Sequence, residues 1–281
     1  MNFSELGMSL EMGLIYGIIA MGIYLSFRVI DFPDLTCDGS FVLGAAASCV
    51  LVKAGYSPFL GLIVALLAGS ASGLTTGLLN TCLKISNLLS GILVAFMLYS
   101  INLKVMQGMP NIALINETTV FTGVNPILLL VLICLVMGGI IGYLLNTHFG
   151  LALRSIGQNK SLAKNGGVSV KRMTVIGLML SNALIALGGA LFSQHQGFAD
   201  VGSGIGTVII GFASVMIGER LFPSRSAWIQ VFSCLMGSIL YRIFISLALH
   251  SEVLGLETQD LNMITGLMIV IVMCLPRRQV C

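Results

Sequence analysis

Charge is what this sequence most lacks. Only 9% of its 281 residues are Asp, Glu, Lys or Arg, where a soluble domain carries about a quarter. So few charges cannot coat a water-facing surface, which excludes an ordinary soluble enzyme. The net charge of +3 offers no basic face for nucleic acid. There is no GxxxxGK[ST] phosphate loop, so ATP hydrolysis is not read in this chain. HExxH and GxSxG are missing as well, and no paired-acid motif stands out. The seven cysteines form no CxxC pair, and most sit in apolar runs, where Cys behaves as a small hydrophobe. Neither a metal nor a disulfide is expected. A basic leader is also lacking, and Glu5 and Glu11 stand where one would be. The first apolar run is therefore expected to stay as a membrane span.

Long apolar runs are what the chain does have. Hydrophobic residues make up 57% of it, with 33 glycines, and glycine lets helices approach closely in lipid. A bilayer core takes roughly 20 apolar residues in a helix. That measure gives nine spans, at about 7–30, 39–52, 60–83, 87–106, 126–145, 174–192, 201–217, 226–248 and 261–275. The second and seventh are short and flanked by glycine. Irregular backbone at membrane depth is tolerated only where protein buries it or where it lines a cavity.

Orientation follows from Lys and Arg, which favour the cytoplasmic side. With 146–173 inside, Arg28, Lys84, Arg220, Arg225, Arg277 and Arg278 fall on the same side as the five basic residues of that segment. Glu5, Glu11, Glu117, Asp200, Glu252, Glu257 and Asp260 fall on the other. The N-terminus is then outside and the C-terminus cytoplasmic.

The chain also repeats itself. At an offset of 166, Phe32 matches Phe198, Asp34 matches Asp200, Ala47 matches Ala213 and Ser48 matches Ser214. NLLSGIL at 87–93 matches NMITGLM at 262–268. Each element lies five spans after its partner, so the copies run in opposite directions. The fold class is all-α integral membrane: two inverted four-helix repeats (about 7–106 and 174–275) around a connector span (about 126–145). Inverted repeats are typical of transporters, with the pathway at the repeat interface.

The segment GLALRSIGQNKSLAKNGGVSVKRM, 150–173, holds five basic residues and no acid. Asn159 or Ser161 can cap a short helix over Lys160–Asn165, and Gly166–Gly167 can end it. Small Ala163 would let a partner surface come close. The plain alternative is a loop that only fixes topology.

Pathway candidates are fewer. Asp34, Asp38 and Gly39 flank a break before the second span, which Pro33 enforces. It reads either as a broken helix at the inner end of a pathway or as a solvated turn capped by Asp38. Its repeat partner is Phe198–Gly206, with Phe198 and Asp200. Ser181 and Asn182 can hydrogen-bond between helices. Arg242 lies well inside a span; it either meets a carboxylate or snorkels to the interface.

The 150–173 segment, with SNALIALGGALFSQHQGFADVGSGIGTVIIGFASVMIGE at 181–219 and FRVIDFPDLTCDGSFVLGAAAS at 27–48, resembles the permease subunit of bacterial ABC importers. The superfamily is that of branched-chain amino acid and ribose permeases, and within it the tryptophan/tyrosine or general amino-acid permeases. The resemblance covers essentially the whole chain. It implies a homodimeric or paired inner-membrane permease working with two ATPase subunits and an extracytoplasmic binding protein. ATP and Mg would be bound by the partner ATPase, and no cofactor by this chain. It places the coupling helix at Asn159, Lys160, Ala163 and Asn165, flanked by Arg154, Gln158, Gly166, Gly167 and Val168. The rival reading is an ion-coupled secondary transporter without an ATPase.

Overall fold

A computed structural model describes residues 3–224, 226–249 and 261–274. Eleven helices are described, numbered here in chain order. They are α1 (Phe3–Ile23), α2 (Thr36–Lys53), α3 (Pro58–Thr81), α4 (Asn87–Val105), α5 (Pro126–Asn146), α6 (His148–Gln158), α7 (Lys160–Asn165), α8 (Val170–Gln196), α9 (Thr207–Leu221), α10 (Ala227–Leu249) and α11 (Leu261–Cys274). A π-helical turn, Tyr24–Val29, extends α1, and a 3₁₀ turn, Val201–Gly204, precedes α9. The only strands among the described residues, β1 (Asn111–Ala113) and β2 (Phe198–Asp200), pair antiparallel.

Eight segments are long and apolar enough to cross a membrane among the described residues. The sequence predicts nine. The ninth is seen as α11, whose 14 described residues are too few to span alone. Arg225, Arg277, Arg278, Glu252, Glu257 and Asp260 lie outside the described residues.

The chain divides into two compact units, and each draws on both halves of the sequence. The larger comprises Gly22–Val124 and Leu144–Val208. Here α8 packs along α2 and α3 through small residues. A Cβ at Gly69, Gly73 or Gly77 of α3 would strike Asn182, Leu178 or Val175 of α8. A Cβ at Gly44 of α2 would strike the carbonyl of Ala186, and one at Gly189 of α8 the carbonyl of Phe41. Between lipid-facing helices close packing has to replace the hydrophobic drive, so small residues set the interface.

The smaller unit comprises Met1–Met21, Asn125–Tyr143 and Ile209–Cys281. Gly13 and Gly17 of α1 lie against Ile239 and Leu235 of α10. The Ser238 hydroxyl donates to the Gly13 carbonyl at 2.7 Å. The Tyr241 and Thr265 hydroxyls are 2.8 Å apart. Gly142 receives the Trp228 ring.

Candidate functional site

In the larger unit the chain breaks after the π-helical turn. Asp31 takes a left-handed φ of 56°, and Pro33 follows. Asp34 is not solvated, contrary to one of the two readings of this turn: it is fully buried. One carboxylate oxygen accepts from the Thr36 amide at 2.9 Å. The other accepts from Asn182 Nδ2 at 2.7 Å. Asn182 is near the middle of the 27-residue α8, so the break lies at half the length of that helix. The seam continues outward. Ser40 donates to Asn182 Oδ1 at 2.7 Å, and Ser72 is 2.7 Å from Ser40. Thr36 and Thr76 hydroxyls meet at 2.7 Å. Burying polar groups in lipid costs free energy unless each is hydrogen-bonded, and this seam satisfies that condition across α2, α3 and α8. Ser181 donates to the Gly22 carbonyl at 2.7 Å, an interhelical bond of the expected kind.

Asp38 does not cap its own helix. It sits in the first turn of α2 and reaches the start of α9. Its carboxylate accepts from the Gly206 amide at 3.3 Å and the Val208 amide at 2.9 Å. The first amides of a helix have no partner within it, and the positive end of the helix favours an anion. Gly206, at φ 86°, makes the turn that presents them. Thr207, between the two, keeps a buried hydroxyl without a hydrogen-bond partner among the described residues.

Beside Asp38 lies a cleft of about 430 Å³ between α2, α4 and the chain at 201–205. Gly39, Phe96, Tyr99, Asn102 and Ile205 are among its walls. Asn102 is buried. Its Nδ2 donates to the Gly39 carbonyl at 3.2 Å, while Oδ1 finds no partner among the described residues. The sequence gives Asn102 no distinguishing mark: it is one asparagine in an apolar span.

The structure therefore gathers Asp34, Asp38, Gly39, Ser181 and Asn182 in one unit. Phe198 and Asp200 belong to the same unit but sit in β2 at the far end of α8. Asp200 accepts from Gly202 N at 2.7 Å and from Asn111 Nδ2 at 3.3 Å. Phe198 stands edge-on to Phe192, centroids 6.5 Å apart. Arg242 is in the other unit. Its guanidinium lies 4.1 Å from the centre of the Tyr16 ring, a cation–π contact that neither sequence reading foresees. No cluster of three His, Cys, Asp or Glu side chains placed to hold a metal exists among the described residues.

The basic segment folds as α6, α7 and the first turn of α8, which carries Lys171 and Arg172. Asn159 caps α7, its Oδ1 accepting from the Ser161 and Leu162 amides at 3.0 Å each. The helix ends through Gly166 N to Leu162 O at 2.9 Å and Val168 N to Ala163 O at 3.0 Å, with Gly167 at φ 83°. This is the pattern of a left-handed helix stop. Ala163, expected to face a partner, is buried within the chain, and Leu162 is the exposed apolar residue, 72% accessible. Lys160 and Asn165 are exposed on α7. The sequence reading missed α6. Its Leu153 and Ile156 are buried, and Gly157 lies so close to Val29 that a Cβ would strike its carbonyl. Arg154 keeps its Nε and one terminal nitrogen buried without a hydrogen-bond partner among the described residues, and Gln158 is exposed.

Comparison with known proteins agrees with this architecture. The family model described as "Branched-chain amino acid transport system / permease component" matches residues 6–273. The chain is 39% identical to the tyrosine transport system permease protein of Clostridioides difficile (strain R20291), over 92% of this chain and 86% of that protein. It is 34% identical to an uncharacterised protein of Rickettsia prowazekii (strain Madrid E), over 96% and 97%. A probable branched-chain amino acid transport permease of Methanocaldococcus jannaschii is 26% identical, over 76% of this chain and 74% of its own. No solved structure matches. With eight membrane-length helices, this is a multi-pass membrane protein, of the inner membrane in bacteria, and it belongs to the branched-chain amino acid transport permease family.

Proposed function

We propose that this chain is the transmembrane subunit of an ABC importer that carries an amino acid, aromatic ones included, with ATP hydrolysed by a separate subunit. The observation that carries the reading is the family match along nearly the whole chain. Likeness to a permease named for tyrosine transport supports the solute class. The capped α7, with Leu162 exposed at its crest, supports a coupling helix that docks on the ATPase. Gly157 of α6, packed on Val29, supports a mechanical route from that helix to the break before α2.

The reading includes a homodimer, two ATPase subunits that bind ATP and Mg, and an extracytoplasmic binding protein. It keeps the N-terminus outside and the inverted repeats. In support of the repeats, Asp34 and Asp200, matched at offset 166, each accept from the amide two residues on.

The test is native mass spectrometry of the permease co-expressed with a candidate ATPase. A complex of two permeases and two ATPases, lost in Leu162→Glu, is expected. A chain that stays alone and transports without ATP overturns the proposal. That outcome selects the second reading, an ion-coupled carrier, which one observation favours: the Asp34 carboxylate is buried at mid-length of α8. Membrane-buried carboxylates are common in proton relays. A proton gradient driving uptake in vesicles with no ATPase would establish it.

A further inference from the structure

We infer that the end of the larger unit where α3 stops and α8 starts is a seat for the phosphate of an anionic phospholipid, with Lys84, Lys171 and Arg172 as its cations. The inference is independent of the solute proposed above. The two helices run antiparallel, and their glycine contacts give the register. Gly69 lies against Asn182 and Ala183, Gly73 against Leu178 and Met179, and Gly77 against Val175. One further turn brings Thr81, the last residue of α3, level with Lys171 in the first turn of α8. Arg172 is the next residue, and Lys84 follows in the turn out of α3. All three are exposed. No Asp or Glu occurs from Gly39 to Asn116 or from Thr118 to Ala199, so α3, α4, α6, α7 and α8 supply no counter-ion. Asp31 follows Ile30, which packs on Gly177 more than a turn farther along α8, and it brings one charge against three.

The turn at Lys84 is held in place. The Ile85 amide donates to the Leu79 carbonyl at 3.4 Å, and Lys84 takes a left-handed φ of 57°. Glycine is the usual residue at this position of a helix stop, because a Cβ there costs free energy. Asn80 pins the turn, its Nδ2 donating to the Ile85 carbonyl and to Asn87 Oδ1, both at 2.8 Å. A lysine kept where glycine fits better points to a use for its ammonium group. A cation also suits the negative end of α3, but Lys171 and Arg172 stand at the positive end of α8, where that explanation fails. The surroundings select a lipid over a free anion. With 27 residues against the roughly 20 that cross a bilayer core, α8 extends its terminal turns to the headgroup level. Leu83 and Leu88 flank Lys84, and Ile176 lies one turn into α8; all three are exposed apolar residues. Cations at the end of the helix pair with bare apolar side chains beside them match a phosphate followed by acyl chains. Arginine holds phosphate bidentately and lysine as a point charge, and basic pockets between membrane helices take anionic head groups.

The experiment is native mass spectrometry of the full-length permease in detergent, titrated with phosphatidylglycerol and, separately, with phosphatidylcholine of the same acyl chains. Phosphatidylglycerol is expected to bind at least about tenfold more tightly. Lys84→Gly should weaken it about fivefold without lowering the unfolding temperature in lipid-free detergent, because glycine relieves the turn. Lys171→Gln combined with Arg172→Gln should weaken it about thirtyfold. An excess of inorganic phosphate should not displace it. Lys104→Gln removes a lysine at the opposite end of α4 from Lys84 and should leave binding unchanged. If the double variant does not accumulate, Lys84→Gly decides. Equal binding of the two lipids, phosphatidylglycerol indifferent to Lys84→Gly, or an equal loss in Lys104→Gln overturns the inference. Displacement by phosphate also overturns it, leaving a simple anion site. So does unchanged lipid binding with loss of the co-purified ATPase, which would assign these cations to a protein surface.

Discussion

Two polar regions share α2 and are built on opposite terms. On the face toward α3 and α8, Asp34, Thr36, Ser40, Ser72, Thr76 and Asn182 are buried and all hydrogen-bonded. On the face toward α4 and residues 201–205, Asn102 keeps a buried oxygen with no hydrogen-bond partner among the described residues. Serine, threonine, asparagine and aspartate supply both. What differs is closure: the seam fills its hydrogen bonds, whereas Asn102 leaves one acceptor unfilled. A polar residue in a span therefore cannot be assigned to structure or to function by its type, only by counting the partners of each of its atoms.

Substitutions can break that contrast in order of expected effect. Asn182→Leu removes the donor to Asp34 and the acceptor of Ser40 at once. Leaving a buried acid without its donor should cost about 3 kcal/mol, seen as a large drop in thermal unfolding temperature in detergent or as failure to accumulate. Asp38→Asn keeps the shape but leaves one acceptor where the carboxylate offers two, so its NH₂ faces either the Gly206 or the Val208 N–H. A loss of about 1–2 kcal/mol is expected, read as a smaller drop in the same unfolding temperature. Asn102→Leu should change stability by less than about 1 kcal/mol, because removing the unpaired oxygen offsets the lost bond from Nδ2 to the Gly39 carbonyl. If Asn102→Leu destabilises as much as Asn182→Leu, the distinction between seam and cleft collapses. Leu162→Glu sits apart from both regions on an exposed helix crest. Its stability should stay within about 0.5 kcal/mol of the parent, while ATP-driven uptake is lost; normal uptake would remove α7 from the coupling path.

What was legible in the sequence was local. Helix caps and stops depend on a few adjacent residues, so Asn159 and Gly166–Gly167 mark α7 without any knowledge of the fold. The long apolar runs mark the spans for the same reason. Asp34 was ambiguous because what buries it is Asn182, 148 residues away. Asp38 likewise finds its amides at Gly206 and Val208, across the chain. Ala163 was misjudged because small size does not tell which way a side chain points. The helix α6 does carry a signal, Leu153 and Ile156 at a helical interval, but a pair of apolar residues is too short a pattern to stand out beside the basic residues around it.

The reciprocal glycines of α2 and α8 have a mechanical consequence. Gly44 faces the Ala186 carbonyl, and Gly189 faces that of Phe41. A slide of one turn, about 5.4 Å along the axis, would bring Ser48 or Ser193 towards those carbonyls in place of glycine. The pair thus has a single register, like two lengths of toothed rack engaged at two points. Close packing at both points resists relative sliding, so α2 and α8 are expected to move as one body. A displacement delivered where α6 meets Val29 would then carry both helices together, and with them the turn that begins at Asp34.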